Sequence, residues 1–174
     1  MTNFKEDISR IKAFVFDIDG VLSSQTVTLS SEGEPIRTAN LRDGFALQLA
    51  VKMGYKIAII SGAHNQYLRV RFEGLGITDI YLGASEKTTA YHDFITKNNL
   101  SSDVVLYMGD DIPDVPVMKL VGTPTCPADA AVEVKDIAKY VSLYNGGCGC
   151  ARDVIEQVLK AQNNWLTSNS AFTW

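Results

Sequence analysis

The sequence predicts an α/β fold: a doubly wound, mainly parallel sheet, Rossmann-like, with a small β-hairpin insertion. Three observations predict it. Apolar runs of strand length alternate with amphipathic segments of helical period along the whole chain. Glycine, proline and short polar clusters separate them, with no composition break, repeat or low-complexity segment. Polar or charged groups follow four of the apolar runs, and in a parallel sheet such positions converge at the carboxyl ends of the strands, where ligands bind. The length of 174 residues, with 46% apolar and 21% charged residues, suits one hydrophobic core. We expect a single domain over 1–162 and a C-terminal tail over 163–174.

Each element has a local cause. Phe4, Ile8 and Ile11 have helical spacing. The run Ala13 to Phe16 reads as a buried strand and leads into Asp17-Ile18-Asp19-Gly20-Val21-Leu22. The β-prone pieces 26–29 and 36–39 flank the turn formers 30–35, which predicts a hairpin. A helix over about 43–53 ends at Gly54. A strand over 56–60 ends in Ser61-Gly62, and a helix over 64–75 stops at Gly74 and Gly76. A strand over 77–82 precedes a helix opened by Lys87 and running to Asn99. A strand over 104–108 ends in Gly109-Asp110-Asp111-Ile112-Pro113-Asp114. A short helix over 115–120, strands over 122–126 and 138–143 and a helix over 150–161 complete the pattern. The tail ends in Phe172-Thr173-Trp174, and its aromatic residues suggest docking.

Bulk properties exclude some classes. A net charge of −4 does not favour nucleic acid or an anionic membrane. No apolar run is long enough to span a bilayer, and the polar start lacks a signal-peptide core, so a cytoplasmic protein is expected. Three cysteines do not suggest a disulfide framework. Cys148-Gly149-Cys150 resembles half of a zinc site but lacks nearby ligands, with Cys126, His64 and His92 far away in sequence.

Taken singly, the groups at the strand ends have mundane explanations. Asp17 to Gly20 could be a turn, Ser61 a helix cap, Lys87 a solvated lysine and the 110–114 acids a dipole-favoured first turn. Together and in order they have a chemical logic. Asp17, Asp110 and a backbone carbonyl near Asp19 make a hard-oxygen site suited to Mg²⁺. A carboxylate beside such an ion can attack phosphorus, and Asp19 can move the protons. Ser61 and the Gly62 N–H can donate to phosphate oxygens, and Lys87 supplies a compact positive charge.

These four segments resemble motifs I to IV of the haloacid dehalogenase superfamily of phosphatases. The resemblance implies Asp17 as nucleophile and Asp19 as acid/base. It implies Ser61, Gly62 and Lys87 as phosphate binders, Mg²⁺ on Asp17, Asp19 and Asp110, and Asp111 and Asp114 as supports of the metal and its waters. The intervals from Asp17 to Ser61 and from Ser61 to Lys87 leave no room for a cap domain. Such a site is open to water unless another subunit covers it.

Within the capless group, the stretches 19–22, 40–44, 109–111 with 116–118, 127–130, and 146–147 leading to 151–152 resemble octulosonate 8-phosphate phosphatases. That resemblance implies a homotetramer with hairpin and tail contacts between subunits and a sugar-phosphate substrate. It also implies substrate contacts by Asn40, Leu41, Arg42, Asp43, Gly44, Gln48, Arg71 and Arg152. The chain departs from it where those enzymes commonly carry arginine: here stand Gln48, Ala63 and Cys148. Either a nine-carbon ulosonate 9-phosphate is the alternative substrate, or the substrate carboxylate is reassigned to Arg42, Arg71 or Arg152. A phospho-receiver domain would order its acids differently, and a non-catalytic family member would need a broken motif, which none of the four is.

Overall fold

The computed structural model describes residues 3–167 and Phe172. The strands in chain order are β1 (Ala13–Phe16), β2 (Thr28–Leu29), β3 (Pro35–Ile36), β4 (Lys56–Ser61), β5 (Asp79–Leu82), β6 (Val105–Met108), β7 (Thr123–Cys126) and β8 (Tyr140–Val141). Six of them form one sheet in the order β5-β4-β1-β6-β7-β8, every pair parallel. Phe14 lies opposite Ile57 of β4 and Leu106 of β6. The chain builds outward from β1 to one edge, then returns to β1's other side and builds to the opposite edge. The strand order reverses at β1 and β6, the place where such sheets open a ligand crevice.

The helices are α1 (Phe4–Asp7), α2 (Leu41–Lys52), α3 (Gln66–Glu73), α4 (Lys87–Lys97), α5 (Val115–Met118), α6 (Val132–Lys135) and α7 (Cys150–Ala161). Alternate strand residues face two separate cores, as a period of two requires. Phe14, Phe16, Ile59 and Met108 pack with α2, α3 and α7. Val15, Ile60, Val105 and Tyr107 pack with α4, α5 and α6. Burying one such large side chain contributes roughly 1.5–3 kcal/mol, so the central strand is anchored from both faces.

Several elements depart from their expected bounds for identifiable reasons. Helix α1 stops at Asp7, which is buried and paired with Arg10 and Lys139. Helix α2 starts earlier, because the Asn40 side chain caps it by accepting the N–H groups of Arg42 and Asp43. The hairpin strands are two residues each, and 37–39 leave the ladder because Thr38 is tied to Ser23 and Ser24. The four-residue α6, buried through Val134, was not expected from the sequence, being too short to show a period. The tail begins by docking. The Trp165 ring lies edge-on to Phe45 at 6.3 Å and under Arg152 at 5.3 Å. Phe172 is exposed, and Trp174 lies outside the described residues. No helix among the described residues is long and apolar enough to cross a membrane.

Candidate active site

The catalytic candidates meet at the β1–β6 crevice. Asp17 directly follows β1, and its backbone N–H still bonds to Met108 of β6. Ser61 ends β4, Lys87 opens α4, and Asp110 lies two residues past β6. The turn after Asp17 depends on Gly20. Its φ is +78°, and a Cβ there would lie 1.9 Å from Asp110 Oδ2, so only glycine lets the two loops close on each other.

Lys87 organises the floor. Its Nζ donates to Asp17 Oδ2 at 2.7 Å and to Asp114 Oδ1 at 2.6 Å. The buried Tyr107 hydroxyl also donates to Asp114 Oδ1, at 2.6 Å. The other oxygen of Asp114 accepts the backbone N–H groups of Asp110 and Asp111, at 3.0 and 3.3 Å. Asp17 Oδ1 accepts the N–H of Ile18 at 2.6 Å.

Two carboxylates therefore share one ammonium in a buried space, with a third, Asp110, beside them. Burial and then the neighbouring Asp114 raise the Asp17 pKa to about 6, against the lowering effect of Lys87. Burial, Asp114 and Asp17 raise Asp110 to about 7. Burial lowers Lys87, but Asp17 and Asp114 outweigh it, so the ammonium is held above its usual range.

Oxygens of Asp17, Asp110 and Asp114 lie within 4.8 Å of one another, a spacing that could hold a metal ion. Asp114 is already saturated by four donors, which suits a supporting role. Asp110 differs: it is 8% exposed, yet its carboxylate accepts no hydrogen bond from a described residue. An anionic hard-oxygen pair with one member unpaired fits a divalent cation such as Mg²⁺. The cysteines do not form a second centre among the described residues. Cys148 is exposed, and buried Cys150 donates its thiol to the Val21 carbonyl.

A cleft of about 1300 Å³ opens above this floor. Asp17, Asp19, Ser61, Gly62, Lys87, Asp110, Asp111 and Asp114 all line it. Ser61 is buried, and a Cβ on Gly62 would meet nothing within 4 Å, so the cleft is open on that side of Gly62.

The eight expected substrate residues do not line this cleft. Asn40 caps α2 and donates to the Gly147 carbonyl. Leu41 and Arg42 are exposed, and Gln48 is half-buried on α2. Asp43 Oδ1 accepts the Arg152 N–H at 2.7 Å, capping α7 from a neighbouring helix. Gly44 leaves room for Arg71, whose Nη2 would lie 2.5 Å from a Cβ there. Arg42 and Arg152 line a separate hollow of about 580 Å³.

Two residues that sequence reasoning missed complete the site. Tyr107 looked like one more apolar residue of a buried strand. Arg37, just past β3, grips Asp19 through Nε at 2.7 Å and Nη2 at 2.8 Å. Nothing in the local pattern around either residue signals the contact, which depends on tertiary placement.

Residues 52–152 match the haloacid dehalogenase-like hydrolase family, and the chain belongs to it. Its fold and its relatives narrow the class to a phosphoric monoester hydrolase. It is 35% identical over 155 residues to the 3-deoxy-D-manno-octulosonate 8-phosphate phosphatase KdsC of Yersinia pestis, covering 89% of this chain and 83% of that one. It is similar to the crystal structure of 3-deoxy-D-manno-octulosonate 8-phosphate phosphatase from Moraxella catarrhalis in complex with magnesium ion, phosphate ion and KDO. There the TM-score is 0.87 and the identity 31%, covering 92% of each chain. The cobalt-bound form of the deoxy-D-mannose-octulosonate 8-phosphate phosphatase of Haemophilus influenzae has a TM-score of 0.88 at 30% identity. That match covers 95% of this chain and 98% of the other.

Proposed function

We propose that this chain is a Mg²⁺-dependent phosphatase that releases phosphate from an acidic sugar phosphate, 3-deoxy-D-manno-octulosonate 8-phosphate. The observation that carries the chemistry is Asp17 at the base of an open cleft, hydrogen-bonded to Lys87 and facing the unpaired carboxylate of Asp110. The substrate follows from relatives named for it over most of the chain.

The residues divide the work. Asp17 and Asp110, with the backbone carbonyl of Asp19, would hold Mg²⁺. When bound, the ion offsets repulsion between the carboxylates and the phosphoryl group. Ser61, the Gly62 N–H and Lys87 orient the phosphate. Asp17 attacks phosphorus and becomes an aspartyl-phosphate. Asp19 gives its proton to the departing sugar oxygen, then takes one from the water that cleaves the acyl-phosphate. Asp114 fixes Lys87, and Asp111 supports the loop carrying Asp110.

A nine-carbon ulosonate 9-phosphate is the second reading. Ala63 lines the cleft where the octulosonate enzymes commonly carry arginine, and Arg42, Arg71 and Arg152 lie elsewhere in the protomer. We further propose a homotetramer assembled through the hairpin, where Leu29 and Ile36 are exposed. The test is phosphate release from eight- and nine-carbon ulosonate phosphates and hexose phosphates, with Mg²⁺ and with EDTA. The eight-carbon substrate is expected to turn over fastest, only with metal, and not at all by Asp17→Asn. Equal rates on every sugar phosphate would reduce the reading to a general phosphatase. Sedimentation velocity tests the tetramer, which a monomer at micromolar concentration would refute.

A further inference from the structure

We infer that Arg37 is the positioning residue for Asp19, so that the hairpin orients the carboxyl that moves protons in the reaction. This rests on the role proposed for Asp19. Arg37 belongs to the small, otherwise exposed hairpin, yet its side chain is only 10% exposed, while that of Asp19 is 45% exposed. The guanidinium meets both carboxylate oxygens, the planar two-bond geometry in which arginine differs from lysine. Asp19 has no other hydrogen-bond partner among the described residues, so its side-chain direction depends on this contact.

The backbone beside Arg37 is itself fixed. The N–H of Thr38 donates to Ser23 Oγ at 3.0 Å, and the Thr38 hydroxyl accepts the Ser24 N–H at 3.0 Å. The Ser23 N–H in turn donates to the carbonyl of Ile18, the residue before Asp19, at 2.8 Å. The loop after Asp19 and the strand leaving the hairpin are therefore one connected unit, with Arg37 at its catalytic end. A group that transfers a proton must lie within hydrogen-bond reach of the reacting oxygen, and a displacement of about 1 Å can cost 100-fold in rate. Two residues from the nucleophile, with no other anchor, Asp19 depends on the fork of Arg37 to hold that reach. Arg37 also lines the cleft, so contact with substrate is the competing role that the test must separate.

The experiment compares wild type, Arg37→Met, Arg37→Lys, Asp19→Asn and the Arg37→Met/Asp19→Asn double variant, with Mg²⁺, on a sugar phosphate and on p-nitrophenyl phosphate. Nitrophenolate leaves without needing a proton. Arg37→Met is expected to lower kcat on the sugar phosphate by about 10- to 100-fold with KM changed less than about 2-fold. It should also release a rapid burst of one nitrophenolate per site, followed by slow turnover. Arg37→Lys should recover part of kcat, and Arg37→Met should add nothing once Asp19 is Asn. Wild-type turnover by Arg37→Met, a loss confined to KM, or multiplicative losses in the double variant would overturn the inference alone. Wild-type turnover by Asp19→Asn would overturn the role of Asp19 and this inference with it.

Discussion

The clearest prediction concerns Asp110→Asn, which separates the stability of the site from its chemistry. The unperturbed carboxyl titrates near 3.8, and in the folded protein burial and two neighbouring carboxylates raise it to about 7. Below pH 4 it is protonated in both folded and unfolded chains and costs nothing. Between pH 4 and 7 the unfolded chain ionises first, so the folded state loses stability as pH rises, and above 7 the penalty is complete. A shift of that size corresponds to roughly 4 kcal/mol, and the opening of the cleft to water reduces the expectation to about 2–4 kcal/mol. Asparagine has the same shape without the charge. In EDTA at pH 8 the variant should therefore be the more stable protein by that amount, with a flatter stability profile between pH 4 and 7. Magnesium should reverse the order. A ligand at 100 times its Kd stabilises by about 2.7 kcal/mol, a gain available to wild type and largely lost to the variant. Urea unfolding at pH 5 and pH 8, with EDTA and with Mg²⁺, measures all four quantities. A variant less stable than wild type in EDTA at pH 8, or equally stabilised by Mg²⁺, would refute the reasoning.

Three further substitutions test the supports of the site. Gly20→Ala would place a Cβ against Asp110 in a backbone conformation with φ of +78°; phosphatase activity should fall about 100-fold with the far-UV circular dichroism unchanged. Tyr107→Phe leaves Asp114 Oδ1 with Lys87 as its sole donor; urea unfolding should show a loss of about 1 kcal/mol, and steady-state kinetics a lower kcat. Asp43→Ala removes the acceptor for the backbone of Arg152; it should destabilise the protein by about 1 kcal/mol through α7, while KM stays within about 2-fold of wild type.

The sheet and its catalytic edge were legible because both follow from local sequence. An apolar run names a strand, and a polar group at its end names the edge, so Asp17, Ser61, Lys87 and Asp110 could be brought together on paper. The segment 40–44 shows where that logic ends. Asparagine and aspartate beside a helix start serve equally for capping and for ligand contact; the fold shows the caps, Asn40 on its own helix and Asp43 on α7. Arg37 was illegible for a different reason. A two-residue strand has no amphipathic pattern to say which way it leans, so the pairing with Asp19 emerges only once residues 37–39 are tied to 23–24.

The site also explains a division within the fold. The two cores are apolar and closed, and most buried charges are paired with cations or backbone donors. At the crevice the balance is incomplete: three carboxylates cluster around one ammonium, and the Asp110 carboxylate has no donor among the described residues. A structural ion pair would be completed by a second cation from the chain, and Arg37, which lines the cleft, is paired with Asp19 instead. The unmatched negative charge is then available to a bound cation. Asp17 and Asp19, two residues apart, are in this way assigned to different partners: one to Lys87 and the charge cluster, the other to the hairpin.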